Sequence, residues 1–162
     1  MNAEAVPEDS GPSDVQRSTH NGAIHFSIAS QYGNVSLVTT AIRALCHGRF
    51  GLEAAGQLEL CAAEAITNAI EHAYKGEEGH HVGVRLLLED ERLVLEVYDQ
   101  GNSMDPNLLA VGTGALEFDP DDIDNLPEGG MGLALIRMSA DELEYHTKDG
   151  VNCLRLTRNF GE

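Results

Sequence analysis

One helix limits what this chain can fold into more than any other segment. From about Gly56 to Tyr74, in QLELCAAEAITNAIEHAY, the residues Leu58, Cys61, Ala62, Ala65, Ile66, Ala69, Ile70 and Ala73 recur at three- and four-residue spacing. On an α-helix this gathers them into one broad apolar stripe that has to be buried against another layer. The opposite side carries Glu64, Asn68 and His72, each four residues from the last and therefore stacked on one face. Such a row is also what an ordinary solvated helix surface carries. Its weight changes only when the rest of the chain is considered.

Before that helix, IHFSIAS alternates Ile24, Phe26 and Ile28 with polar neighbours, as a half-buried or edge strand does. SLVTTAIRALCHG switches to helical spacing through Leu37, Val38, Ala41, Ile42 and Leu45, with Ser36 or Asn34 available as N-cap. After it, VGVRLLLED and RLVLEVYD are strand-like runs joined by a very short polar connection at Asp90 and Glu91, which predicts an antiparallel hairpin. GMGLALIRMSA reads as a third helix that begins at its glycines. DELEYHTK and VNCLRLTR form a second hairpin around Asp149 and Gly150.

Helices with one apolar stripe and hairpins with one apolar face can satisfy each other by stacking. The expected fold is therefore α/β, a two-layer sandwich of a mixed, mostly antiparallel sheet covered on one face by helices. A dinucleotide-binding fold is excluded, because Gly129, Gly130 and Gly132 do not directly follow a strand and the βαβ repeat is missing.

A length of 162 residues suits one core and one domain. Residues 1–21 mix Pro, Gly, Ser and acidic residues without periodicity and are expected to form a disordered tail, leaving residues 22–162 as the folded domain. Asp and Glu number 27 against 10 Lys and Arg, a net charge of −17, which disfavours direct contact with nucleic acid or an anionic membrane and suits a basic protein partner. Cys46, Cys61 and Cys153 lack metal-ligand spacing and read as reduced core thiols. His80 and His81 have no third ligand at recognisable spacing, so no structural zinc is expected. With neither a signal-peptide pattern nor an apolar run long enough to span a bilayer, the expectation is a cytoplasmic protein.

Three segments carry chemistry together. In EAITNAIEHAY, Asn68 can offer an oxygen to a magnesium ion that also holds nucleotide phosphates, and Glu64, one turn earlier, can act as general base. In YDQGNSMDP, Asp99 at a strand end can accept a hydrogen bond from a purine amino group while Gly101 lets the backbone approach. In EGGMGLALIR, glycines at a helix start expose backbone N–H groups to phosphates. Each motif alone is commonplace; a polar helix face, an Asp-x-Gly turn and a glycine-rich helix start all occur without any ligand.

In this order and at these separations the segments resemble the N, G1 and G2 boxes of the ATPase superfamily of gyrase, the ninety-kilodalton heat-shock chaperone, histidine kinases and MutL. The short domain, the Gly-Asn-Ser-Met-Asp form of the second box and the closing DELEY strand are most similar to the anti-sigma-factor serine/threonine kinases of the RsbW and SpoIIAB type. That resemblance, over about residues 24–158, implies ATP and Mg2+ as cofactors, with Glu64 as catalytic base and Asn68 as metal ligand. It also implies Asp99 as the adenine-reading carboxylate with Gly101 beside it, and Gly130 and Gly132 beside the phosphates. His72, Met104, Met131 and Leu133 join the nucleotide-contacting set, although Met131 and Met138 also read as packing residues of the third helix.

The implied partners are an anti-anti-sigma factor, which would be phosphorylated on serine, and a sigma factor, bound by a homodimer. Residues from about Asn107 to Glu128 would form a lid over ATP. Ser103 departs from the second glycine common in the superfamily. The lid carries Glu117, Asp119, Asp121, Asp122, Asp124 and Glu128 with no Lys or Arg between Glu117 and Glu128, leaving Lys75 or Arg137 as candidate helpers for phosphate charge. An alternative is a non-enzymatic nucleotide-binding regulator that acts by sequestering its partner. A detached histidine-kinase catalytic domain fits less well, since no phosphoacceptor helix pair is present.

Overall fold

A computed structural model describes residues 22–109 and 131–161. The expected tail at residues 1–21, the acidic stretch from Glu117 to Glu128, and Gly129 and Gly130 lie outside the described residues. Strand β1 spans Ala23–Ala29, helix α1 Tyr32–Asn68, and a π-helical turn Ala69–Ala73 completes α1. Strands β2 (His81–Leu88) and β3 (Arg92–Asp99) follow, then a 3-10 turn at Pro106–Leu109, helix α2 (Met131–Ser139), and strands β4 (Glu142–Lys148) and β5 (Val151–Asn159).

The five strands form one sheet in the order β1-β2-β3-β5-β4. Every neighbouring pair is antiparallel, so the sheet is purely antiparallel where a mixed, mostly antiparallel one is expected from the sequence. The hairpin chemistry accounts for this. Two tight hairpins can only return their strands antiparallel, and the long excursion through α2 leads into β4, which pairs with β5 and no other strand. The β4–β5 turn uses Asp149 (φ 53°) and Gly150 (φ 77°), the left-handed pair that suits a two-residue hairpin.

Alternation along the strands sorts the two faces. Val82, Val84, Leu86, Leu93, Leu95, Val97 and Leu156 point into a core completed by Ile42, Cys46, Leu58, Cys61, Ile66 and Ile70 of α1 and Ile136 of α2. All eight stripe residues expected between Leu58 and Ala73 are buried. The earlier part of α1 differs from expectation. Val38 and Ile42 are buried, whereas Leu37 is 67% exposed and Leu45 38%, because the row 38, 42, 46 and not the row 37, 41, 45 faces the sheet.

Neither Ser36 nor Asn34 is the N-cap. The helix starts at Tyr32 with Gln31 in the cap position, and Asn34 instead donates its side-chain N–H to the Ala29 carbonyl, 3.3 Å away. The two expected helices run on as one element, broken at Gly51, whose φ of 86° no helix contains. At that break Phe50 stacks on Phe160, ring centroids 4.0 Å apart, so the chain's last ordered aromatic covers the bend.

Candidate functional site

The helix-facing side of the sheet changes character at one end. One row across it reads Tyr145, Leu154 and Val97; the next reads Thr147, Asn152 and Asp99. The apolar floor thus ends in a polar margin. Above it the C-terminal part of α1, the π turn, the 3-10 turn and α2 enclose a cleft of about 490 Å³. Its floor and walls include Val97, Leu143, Leu154, Ala65 and Ala69, and its polar groups are Asn68, His72, Asp99, Asn102, Ser103, Arg137 and Tyr145. A flat apolar slot with a few placed polar groups is what a purine requires.

The expected site residues separate into three groups. Asn68, His72, Asp99, Met104, Met131 and Leu133 all line the cleft. Glu64, Gly101 and Gly132 do not line it but are held next to it. Gly130 lies outside the described residues. Of the two candidate phosphate helpers, Arg137 lines the cleft, whereas Lys75 is not part of its lining and occupies a left-handed position (φ 54°) in the turn after the helix.

Asp99 is 9% exposed, and burial pushes its carboxyl pKa upward against hydrogen bonds from Asn152 and from the Gly101 backbone. The Gly101 N–H donates to Asp99 Oδ1 at 2.9 Å. A Cβ at Gly101 would collide with the Ala73 carbonyl, which instead accepts the Asn102 N–H at 2.9 Å. The glycine is therefore required by the close approach of the loop to the end of the helix. Tyr74 joins the same region from below: its hydroxyl donates to the His81 carbonyl at 2.7 Å and accepts the Gln100 N–H at 2.8 Å.

At the other end of the cleft, Glu64 packs against the first turn of α2. A Cβ at Gly132 would meet the end of the Glu64 carboxylate, which would have to move to make room for it. Asn68, one turn along from Glu64, has its amide nitrogen buried without a hydrogen-bond partner among the described residues. Such a group is costly unless something outside the described protein atoms satisfies it.

Asn152, Thr147 and Tyr145 were not anticipated as site residues. Asn152 is 1% exposed, and the Tyr145 hydroxyl accepts the Met104 N–H at 2.8 Å. The available signal was an Asn inside the otherwise apolar strand VNCL, where Asn is disfavoured unless it has a task. Cys46, Cys61 and Cys153 are buried and unpaired, and burial pushes Cys46 and Cys153 up to about 11, which makes them unreactive packing groups.

A helical layer over one face of an antiparallel sheet, with an apolar cleft ending in a buried carboxylate, is the arrangement of an ATPase-type α/β sandwich. Residues 28–158 match the histidine kinase-like ATPase domain. The chain is 35% identical over 130 residues, covering 80% of it and 79% of the relative, to the serine-protein kinase RsbW of Listeria monocytogenes. To the serine-protein kinase RsbW of Listeria innocua it is 33% identical over the same coverage. To that of Bacillus pumilus it is 38% identical over 96 residues, 58% of this chain and 59% of the relative. The chain belongs to the histidine kinase-like ATPase family, in its branch of RsbW-type serine-protein kinases. Among the described residues no helix is long and apolar enough to cross a membrane.

Proposed function

We propose that this chain is a cytoplasmic partner-switching kinase that transfers the γ-phosphoryl group of ATP to a serine or threonine of a small anti-anti-sigma factor, and that its homodimer sequesters a sigma factor. The observation that carries this reading is the spatial order of the site. Asp99 stands at one end of an apolar cleft, Asn68 in its wall, and Glu64 against the start of α2 at the other end. Adenine would lie on Val97 and Leu154, its 6-amino group donating to the carboxylate oxygen of Asp99 that has no partner among the described residues. The triphosphate would then run toward the N–H groups at the start of α2.

Asn68 would hold a magnesium ion through its side-chain oxygen, since magnesium takes neutral and anionic oxygen ligands, while its buried Nδ2, a donor without a partner among the described residues, suits a phosphate oxygen. When bound there, the ion would neutralise phosphate charge. Glu64 accepts the proton of the substrate hydroxyl as that oxygen attacks the γ-phosphorus. The bond to the bridging oxygen breaks, ADP leaves with that electron pair, and a phosphoserine or phosphothreonine is formed. Arg137 is the only Lys or Arg among the described residues lining the cleft and offers positive charge at its rim.

Incubation with magnesium, ATP and an anti-anti-sigma protein of the same genome is expected to add the mass of one phosphate to that partner. Glu64→Gln should slow transfer by about a hundredfold or more while leaving ATP affinity near wild type. Transfer at the full rate by Glu64→Gln would remove Glu64 from the role of base. A second reading, a nucleotide-gated binding protein without transfer activity, is favoured by the position of Glu64 outside the cleft lining. ATP binding with no mass shift on any such partner would select it.

A further inference from the structure

Asn152 is the most thoroughly bonded side chain of the site, and nothing in the proposed chemistry uses it. It lies on β5 directly between Asp99 of β3 and Thr147 of β4 in the strand register. Its Nδ2 donates to Asp99 Oδ1 at 2.7 Å and to the Gly101 carbonyl at 3.1 Å, with the Asn102 carbonyl at 3.4 Å. Its Oδ1 accepts the Ser103 hydroxyl at 2.9 Å and the Thr147 hydroxyl at 2.8 Å. Both donors and both acceptor positions of the amide are occupied. The orientation is fixed by chemistry: turned over, the amide would set its oxygen against a carboxylate and a carbonyl, acceptor against acceptor.

This arrangement decides which part of Asp99 a ligand can reach. Oδ1 already accepts the Gly101 N–H and the Asn152 amide. Among the described residues Oδ2 has no such partner, and it is the carboxylate's open acceptor. We infer that Asn152 is a positioning residue that sets base specificity: by occupying Asp99 Oδ1 and tying the loop 101–103 to the β4–β5 hairpin, it leaves the cleft one acceptor, matched to a purine bearing a 6-amino group. This rests on the reading of the cleft as an adenine-nucleotide site.

The test compares binding of ATP with that of purine riboside triphosphate, which lacks the 6-amino group, by isothermal titration. Wild type is expected to prefer ATP by about tenfold or more, since a buried acceptor left unpaired is costly. Asn152→Asp keeps the size of the side chain but turns an acceptor toward Asp99, and its preference should collapse toward equal binding. The double variant S103A with T147V leaves Asn152 in place and frees its oxygen; it should lose part of the preference, and serves if Asn152→Asp does not fold by circular dichroism.

An unchanged preference in a folded variant, or equal losses for both nucleotides, would overturn the role of Asn152 while leaving the nucleotide site intact. Wild-type protein that binds neither nucleotide would overturn the nucleotide reading and the role of Asn152 together.

Discussion

At the scale of single residues, two glycines lie where other groups come close, and their substitution tests the proposed binding and transfer roles separately. Gly101 lies against the Ala73 carbonyl and Gly132 against the Glu64 carboxylate. Gly101→Ala is expected to displace the loop that orients Asp99 and to weaken ATP binding by about tenfold or more. Gly132→Ala should instead push Glu64 aside and reduce phosphoryl transfer more than ATP affinity. Titration and single-turnover transfer on both variants distinguish the two effects; equal losses in both assays for Gly132→Ala would contradict the steric role given to it.

Asp99 adds a pH dependence. Because burial raises its pKa, the ionised form is the disfavoured one in the folded protein; that penalty is present above the folded pKa and is relieved as pH falls through it. If Asp99 reads the adenine amino group as proposed, nucleotide affinity should move the other way. Titrations between about pH 7 and pH 4 are expected to show ATP affinity falling before ordinary carboxylates protonate, with the fold retained.

The spacing of Glu64, Asn68 and His72 made their shared face legible in the sequence, and Asp99 was marked by the strand end and the following glycine. Asn152 was not, because its partners come from β3, β4 and the loop between β3 and the 3-10 turn, and no linear pattern joins them.

At the scale of elements, α1 shows where periodicity stops being informative. The apolar stripe from Leu58 to Ala73 and the division into two helices were clear, but the sequence does not announce that the helices meet directly at Gly51 or that the second widens into a π turn at its end. The Tyr74 N–H bonds the Ala69 carbonyl, and the Gly76 N–H bonds that of Ile70, so the final turns yield to the packing of Tyr74 under the Asp99 loop. Replacing Gly51, at φ 86°, by Ala should cost about 1–2 kcal/mol through left-handed strain. A lowered melting temperature with unchanged ATP affinity is the expected result, and an unaltered melting temperature would mean that the break can move to a neighbouring residue.

At the scale of the whole molecule, the face of the sheet away from the helices holds a charged cluster beside the buried Val94 and Cys153, where the other face is apolar through most of its area. Glu96, 5% exposed, accepts from Arg85 at 2.7 Å and from the Tyr98 hydroxyl at 2.8 Å, with Arg155 3.8 Å away. Burial alone would raise its pKa, but the hydrogen bonds from Arg85 and Tyr98 and the two guanidinium charges outweigh this and lower it. A depressed carboxylate contributes stability that is present above its unfolded pKa and is lost as pH falls through the folded one. Glu96→Gln should therefore cost about 1–3 kcal/mol near pH 7, and its difference from wild type should shrink below about pH 4. A difference independent of pH would mean that packing and not charge sets the cost.

The sequence by itself determined the layers, the hairpins and several of the residues that line the cleft, because stripe, alternation and turn chemistry act over a few residues and are written locally. Only the tertiary structure decided that the sheet is antiparallel throughout, that Leu37 and Leu45 face outward, and that Glu64 rests on α2 outside the cleft lining. It alone placed Asn152 between Asp99 and Thr147. Those features depend on which distant segments meet and at what register, and a buried polar side chain acquires its function only from the partners that this meeting supplies.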